Sequence, residues 1–357
     1  MAPDLFPFVR PFIHALDAEK AHNLTVSCLK IGLNGLVGKN SNPSSLNTEV
    51  FGLKFQNPIG LAAGFDKNAE VITAAHKIGF GFAEAGTVTP LPQDGNEKPR
   101  LFRLKADKAV INRFGFNNKG LAYFTKGLRK LRVGHTPYGA NVGANKTSND
   151  KTADYVTCIE ALYGLADYFT VNISSPNTPG LRALQSKEAL ADLVDRVVKA
   201  RQEKINQGQP HMPILVKIAP DLTSEDITDI SDIALNSDID GLIVSNTTIT
   251  RPAGLSDMQK DQTGGLSGAP LMAASTQVLH KVYAATNGNV PLIGVGGIST
   301  GKDAYAKIRA GASLVQLYSA LVYEGPGLID RIKHELADLL ENDGFNAVSE
   351  AVGADHR

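Results

Sequence analysis

Cysteine is scarce in this chain. Cys28 and Cys158 are the only two in 357 residues, and each falls inside an expected helix. That spacing argues against a disulfide framework or a zinc site and for a reduced, cytosolic setting. Net charge is lacking too, because 36 basic side chains balance 36 acidic ones. The densest basic group, Arg129, Lys130 and Arg132, reads as one solvated helix face, so nucleic acid is not expected as the main partner. No apolar run approaches the roughly 20 residues that span a bilayer. The apolar patch from Leu5 to Val9 is short, broken by Pro7 and followed by no small-residue cleavage site, so a signal peptide is not expected. Short-period repeats and low-complexity tracts are missing as well.

What is present divides into a short helical beginning and a long alternating body. Residues 1–45 read as a helical appendage. Asp17 is a fair N-cap, and Ala21, Leu24, Cys28 and Ile31 then recur at helical spacing. Gly32 and Gly35 close that helix, and residues 40–45 make a linker ahead of Thr48. Upstream, Leu5, Phe6, Phe8, Val9, Phe12 and Ile13 are many large apolar groups for so short a piece. They either pack onto the main domain or offer an apolar platform to a membrane or a lipidic ligand. The segment carries four basic and three acidic side chains, too little charge to pull it toward anionic lipid.

From Thr48 the pattern becomes strand and helix in alternation, after a short hairpin over 49–55. Strands are expected at 59–62, 82–86, 138–142, 167–171, 213–218, 241–245, 292–295 and 313–317, each followed by a helical pattern. Eight near-continuous apolar strands with eight helices are the arithmetic of a (β/α)₈ TIM barrel with an N-terminal helical extension. The barrel is expected to span 46–341, leaving 342–357 as a tail, frayed from Gly344 onward.

In such barrels the chemistry sits at the C-terminal ends of the strands. The first strand ends in Ala63-Gly64-Phe65-Asp66-Lys67, where small residues admit a ligand close to the backbone and Lys67 offers it a cation. The second ends at Thr87, and a long loop after it carries Arg103 and the run Asn112-Arg113-Phe114-Gly115-Phe116. Asn141 ends the third strand. The fourth ends in Asn172-Ile173-Ser174-Ser175-Pro176-Asn177, where amides suit a planar ring with alternating carbonyl and N–H groups and Ser175 could move a proton. No Gly-x-Ser-x-Gly elbow surrounds that serine, which disfavours a hydrolase nucleophile. Lys217 ends the fifth strand, and Ser245-Asn246-Thr247-Thr248 follows the sixth.

The most specific physical signal lies after the seventh. Gly294-Val295-Gly296-Gly297 bares backbone N–H groups at a helix start, which suits a phosphate. Ser299 occupies the third glycine position of the dinucleotide fingerprint, so a Rossmann NAD site is disfavoured. Tyr318 and Ser319 end the eighth strand, and Gly264–Gly268 reads as a second, flexible backbone wall. A phosphate loop in a barrel mouth with a lysine beneath it suggests flavin mononucleotide (FMN). Spacing alone does not exclude a phosphorylated sugar, and no metal is expected.

These blocks together resemble the dihydroorotate dehydrogenases, specifically the membrane-associated, quinone-reducing class. The resemblance runs from about Leu5 to Leu340. It rests on Leu61–Lys67, Val110–Asn117, Asn172–Asn177, Val216–Pro220, Ser245–Thr248, Gly264–Gly268, Gly294–Gly297 and Tyr318-Ser319. Ser175 stands where the soluble relatives usually carry cysteine, and Asp17–His22 is similar to the helical extension of the quinone-linked class. Phe65 departs from the leucine of many relatives.

The resemblance implies an enzyme that oxidises (S)-dihydroorotate to orotate in pyrimidine biosynthesis, with FMN as hydride acceptor and a membrane quinone as terminal acceptor. FMN would be contacted by the first-strand run Ala63–Lys67 and by Thr87, Asn141, Asn172 and Lys217. Ser245, Gly268, Gly297, Tyr318 and Ser319 would complete its site. Dihydroorotate would be held by Lys67, the run Asn112–Phe116, Asn172, Asn177, Asn246 and Thr247, with Ser175 taking a proton. His22 and Arg103 would meet the quinone head group. The resemblance also implies a monomer held peripherally on the cytoplasmic side of the inner membrane. A flavin barrel of another reaction, or a non-enzymatic pyrimidine-binding protein, are the rival readings.

Overall fold

The computed structural model describes residues 6–32, 41–131 and 136–357. Leu5, Gly35, Asn40 and Arg132, named above, lie outside them. Two helices come first, α1 (Phe6–Ala15) and α2 (Ala18–Lys30), followed by the antiparallel hairpin β1 (Thr48–Val50) and β2 (Leu53–Phe55). Next come β3 (Ile59–Asp66), α3 (Ile72–Ile78), β4 (Phe82–Val88), β5 (Leu101–Leu104), β6 (Ala109–Asn112) and α4 (Gly120–Leu128). The middle of the chain forms β7 (Tyr138–Val142), α5 (Lys151–Leu162), β8 (Tyr168–Asn172), α6 (Lys187–Asn206), β9 (Ile214–Ile218) and α7 (Ser224–Asn236). The last part forms β10 (Gly241–Val244), β11 (Gly265–Gly268), α8 (Met272–Ala285), β12 (Leu292–Val295), α9 (Gly301–Arg309) and β13 (Ala312–Leu317). Helices α10 (Ser319–Glu324) and α11 (Leu328–Asn342) close the list.

Eight strands pair in parallel in the order β3, β4, β7, β8, β9, β10, β12, β13 and return to β3, a closed barrel as expected. Helix-period burial seats the outer layer. In α6, Leu190, Leu193, Val194, Val197 and Ala200 are buried along one stripe. The barrel interior is filled by pairing large side chains with glycines on neighbouring strands. A Cβ at Gly60 would stand 2.3 Å from the Phe82 ring, and one at Gly139 would stand 2.3 Å from the Tyr168 ring. The hairpin plugs the N-terminal end, where Val50 and Phe55 join Phe82, Tyr168, Leu215 and Ile243 in one buried cluster. The opposite end is therefore the open one.

The N-terminal helices are docked mainly by polar contacts. Asp17 caps α2, accepting from the N–H of Glu19 and Lys20 at 3.1 and 3.0 Å. Glu19 is buried and forms a two-pronged pair with Arg100 at 2.8 and 3.1 Å. Arg103 donates to the carbonyls of Ile13 (3.2 Å) and Leu16 at the end of α1. No residue of α1 is fully buried, and Phe8 and Phe12 are 75% and 76% exposed. Simple packing onto the barrel does not account for those two rings. Among the described residues no helix is long and apolar enough to cross a membrane.

Three expectations need correction. The segment after β4 is not a plain loop, and Gly264–Gly268 is not a flexible wall. β5, β6 and β11 form a three-stranded antiparallel sheet in the order β11-β6-β5, beside the open end. Its strands were hidden because four-residue strands give too short an alternation to read. The C-terminal tail is not frayed either. Val348 and Ala351 are buried, the Gly353 N–H donates to the Ile308 carbonyl at 3.1 Å, and Arg309 pairs with Asp355 at 2.8 Å. Val348→Ala should therefore lower stability by about 2 kcal/mol, the loss of two buried methyl groups plus a small cavity. Urea denaturation of the two proteins checks this, and equal midpoints would return the tail to the frayed reading.

Candidate active site

The open end of the barrel holds a cavity of ≈ 520 Å³ that runs from the strand ends out between α1 and α2. Its inner wall includes Ala63, Gly64, Thr87, Asn172, Lys217 and Ser245. Ser175, Asn177, Asn246, Thr247, Asn112 and Phe116 form one side. Gly268, Gly296, Gly297, Tyr318 and Ser319 form another. The outer end is apolar, lined by Val9, Ile13, Ala21, Leu24, Cys28 and Leu29.

A hydrogen-bonded chain supports the inner wall from below. Glu84, fully buried on β4, accepts from Gln316 Nε2 at 2.6 Å and from Asn141 Nδ2 at 3.0 Å. The Asn141 side-chain oxygen accepts in turn from Thr87 Oγ1 at 2.6 Å and Asn172 Nδ2 at 3.2 Å. Asn172 Oδ1 then accepts from Ser174 Oγ at 3.0 Å and from Asn246 Nδ2 at 3.3 Å. Each amide uses both its donor and its acceptor, which fixes its orientation. Asn177 donates to Asn112 Oδ1 at 3.2 Å across the cavity side. Arg182 holds the segment around Ser175 to the strand β10 end, donating to the carbonyls of Ser174 (3.1 Å) and Thr247 (3.0 Å) while paired with Asp221 at 2.8 Å.

Two lysines face this cavity, Lys217 buried and Lys67 half-buried. Burial pushes the Lys67 amine down to about 8 and also lowers that of Lys217, which Glu84 partly offsets. Lys67 lies 3.2 Å from His22 Nε2 and 4.4 Å from the centre of the Phe114 ring. Lys217 has no hydrogen-bond partner among the described residues. A desolvated ammonium that lines a cavity and lacks a protein acceptor is built for an acceptor on a ligand. His22 bridges the two ends, with Nε2 near Lys67 and Nδ1 3.2 Å from Tyr318 OH. Burial, then the charge of Lys67, hold its pKa well below 6.5, so the ring is neutral at physiological pH. Ser175 is buried and its Oγ accepts from the Asn177 N–H at 3.3 Å.

The family model described as dihydroorotate dehydrogenase matches residues 45–340. The chain belongs to the dihydroorotate dehydrogenase family. It is 56% identical over 352 residues to the dihydroorotate dehydrogenase (quinone) of Parvibaculum lavamentivorans, covering 99% of each chain. It is 50% identical to the mitochondrial dihydroorotate dehydrogenase (quinone) of Mus musculus, covering 96% of this chain and 88% of that one. The crystal structure of ligand-free DHODH from Eimeria tenella superposes with a TM-score of 0.90 at 42% identity, covering 96% of this chain and all of that one.

Most residues singled out from the sequence line the one cavity, His22 and Arg103 included. Three do not. Asp66 points away and caps the following turn, accepting from the N–H of Glu70 and Val71 at 2.8 and 2.7 Å. Arg113 lies over the Phe102 ring at 4.6 Å and bonds Gln262 and Thr263 outside. Asn141 sits one layer beneath the cavity floor, in the chain from Glu84. Sequence reasoning missed the Arg182–Asp221 clamp, because an ion pair between residues 39 positions apart leaves no local pattern.

Proposed function

We propose that this chain oxidises dihydroorotate to orotate at FMN held in the barrel mouth and passes the electrons to a membrane quinone. The observation that carries it is Lys217, a buried cation facing the cavity with no acceptor of its own among the described residues. Such a group fits the pyrimidine edge of a flavin, where negative charge develops on reduction. The cofactor's phosphate fits the far wall. Gly296 and Gly297 have φ of +109° and +83°, and a Cβ at Gly297 would stand 2.4 Å from Met272. Only glycine allows the backbone to lie that close to α8 and still face the cavity. FMN bound there supplies a hydride acceptor for the substrate and an electron donor for the quinone.

The chain's own groups do the rest. Lys67 pairs with the substrate carboxylate, and Asn112, Asn172, Asn177 and Asn246 present amide donors and acceptors to the pyrimidine edge. Thr247, Phe114 and Phe116 complete the pocket. Ser175 takes the proton from the carbon beside the carboxylate-bearing one, as the position of its Oγ on the cavity side suits. A serine hydroxyl is a weak base, so Ser175 would act through a water or a polar relay. Ala63, Gly64, Thr87, Ser245, Gly268, Tyr318 and Ser319 shape the cofactor's bed.

The purified protein should be yellow, and dihydroorotate should bleach it under anaerobic conditions. Ser175→Ala should retain its flavin and bleach at least about a hundredfold more slowly, the usual scale for losing an acid–base group. A stopped-flow rate within a few-fold of wild type would remove Ser175 from the mechanism.

Orotate binding should also report the state of Lys67. Its pKa in the folded protein is about 8, so the ammonium is present below that pH and lost above it. An anion binds the charged form, so affinity should be level below pH 8 and fall by about tenfold per unit above it. Calorimetric titration across this range should show that slope in wild type, and Lys67→Met should bind weakly with no slope. A wild-type affinity independent of pH up to 10 would separate Lys67 from the carboxylate.

The quinone would enter between α1 and α2, with His22 and Arg103 beside its head group. Exposed Phe8 and Phe12 would hold this end against the bilayer peripherally. Phe8→Ser with Phe12→Ser should release the protein from lipid vesicles in a flotation assay and slow turnover with a long-tailed quinone, while flavin bleaching by dihydroorotate stays unchanged. Unchanged flotation would show that the two rings serve another contact.

A further inference from the structure

Behind the loop after β12 lies a cation that the chemistry above leaves unused. Lys307 of α9 is fully buried, and its Nζ donates to Ser275 Oγ at 2.8 Å and to Thr276 Oγ1 at 3.0 Å. Both hydroxyls belong to α8 and neither is ionised. Burial pushes the amine down to about 7, with Asp303 the one charge that offsets it. Asp303 is itself engaged, accepting from the N–H and the hydroxyl of Ser299 at 2.9 Å each. A buried ammonium held only by hydroxyls costs free energy unless a negative charge comes within its reach.

The hydroxyls lead toward such a charge. Ser275 Oγ is 3.0 Å from the Gly296 carbonyl and 3.2 Å from the Met272 carbonyl. An ammonium can only donate, so the Ser275 oxygen receives from Lys307 and its single proton is left for a carbonyl. The Gly296 carbonyl and the Gly297 N–H belong to one trans peptide, in which they point in opposite directions. Holding that carbonyl against α8 turns the Gly297 N–H away from α8. Among the described residues this N–H has no hydrogen-bond partner, and both glycines line the cavity.

We propose that Lys307 is a positioning residue for the cofactor's phosphate. Through Ser275 and the Gly296 carbonyl it orients and polarises the Gly297 N–H as a phosphate donor, and it places a buried positive charge behind that donor. Each hydrogen bond in such a chain strengthens the next. The proposal rests on the FMN reading.

The test is equilibrium exchange of bound FMN against riboflavin, which lacks only the phosphate, in the full-length holoprotein. Wild type should prefer FMN strongly. Lys307→Met, which keeps the side chain's bulk, should lower that preference about tenfold or more, the scale of one charge-assisted hydrogen bond. Ser275→Ala, which keeps the lysine, should lower it by a smaller factor. In both variants riboflavin affinity should stay within about threefold of wild type. Equal weakening of both flavins would make Lys307 a packing residue and overturn the proposal, as would an unchanged preference in both variants. Should Lys307→Met not fold, Ser275→Ala decides alone. A wild type that holds riboflavin as tightly as FMN would instead refute the phosphate assignment itself and take the relay with it.

Discussion

The geometry of the site depends on one buried carboxylate. Glu84 lies inside the barrel with no access to solvent, where an ion without partners would cost several kcal/mol. Its oxygens are satisfied by Gln316 of β13, Asn141 of β7 and the Tyr168 hydroxyl of β8, the last at 3.4 Å. Because Asn141 must give its N–H₂ to Glu84, its oxygen is left to face Thr87 and Asn172. Because Asn172 gives its N–H₂ there, its oxygen is left for Ser174 and Asn246. The orientations of Asn141, Asn172 and Asn246 are thus set from beneath, before any ligand enters. That is preorganisation in the sense that matters for catalysis, since the dipoles need not turn during the reaction.

The same constraint explains what was legible in the sequence. A parallel strand buried on both faces must be apolar throughout, so eight such runs could be counted and the barrel inferred. Where those runs turned polar, at Lys67, Thr87, Asn141, Asn172, Lys217 and Ser245, the chain was leaving the core, and these positions converge on one cavity or its floor. Direction was harder. Asp66 and Lys67 are adjacent, yet one carboxylate turns back onto backbone N–H groups while the next ammonium enters the cavity. No spacing rule separates them, because the strand is irregular between Leu61 and Asp66. Arg113 was misplaced for a related reason: its neighbours face the cavity, but its guanidinium found an aromatic ring and Thr263 outside.

What stayed hidden is whatever depends on distant partners. β5 and β6 read as loop until β11, about 150 residues away, supplies the third strand of their sheet. The tail read as frayed because its two buried side chains are separated by polar ones, and only the folded chain, α9 included, gives them a surface to cover. Lys307 is fully buried, and nothing local in the sequence marks it so. Its two hydroxyl partners lie some 30 residues earlier, on the neighbouring helix.

The N-terminal helices join the two proposed half-reactions in one space. α2 is tied to the barrel by the buried Glu19–Arg100 pair, and α1 by Arg103 and by Arg10, which donates to the Tyr323 carbonyl at 3.0 Å. These bonds act on backbone carbonyls and one carboxylate, leaving the apolar faces free to line the outer cavity or to face out. His22 stands at the junction between that apolar end and the polar floor, and its neutrality follows from its position. A charged imidazole there would be desolvated and 3.2 Å from a second cation, Lys67. A neutral ring can instead accept from Lys67 through one nitrogen and donate to Tyr318 through the other, linking both walls without adding charge. The positive charge stays with Lys67 and Lys217 at the strand ends, where an anionic substrate and an electron-rich ring would need it. The outer end is lined mainly by apolar side chains, and its nearest cation, Arg103, is held by the α1 carbonyls.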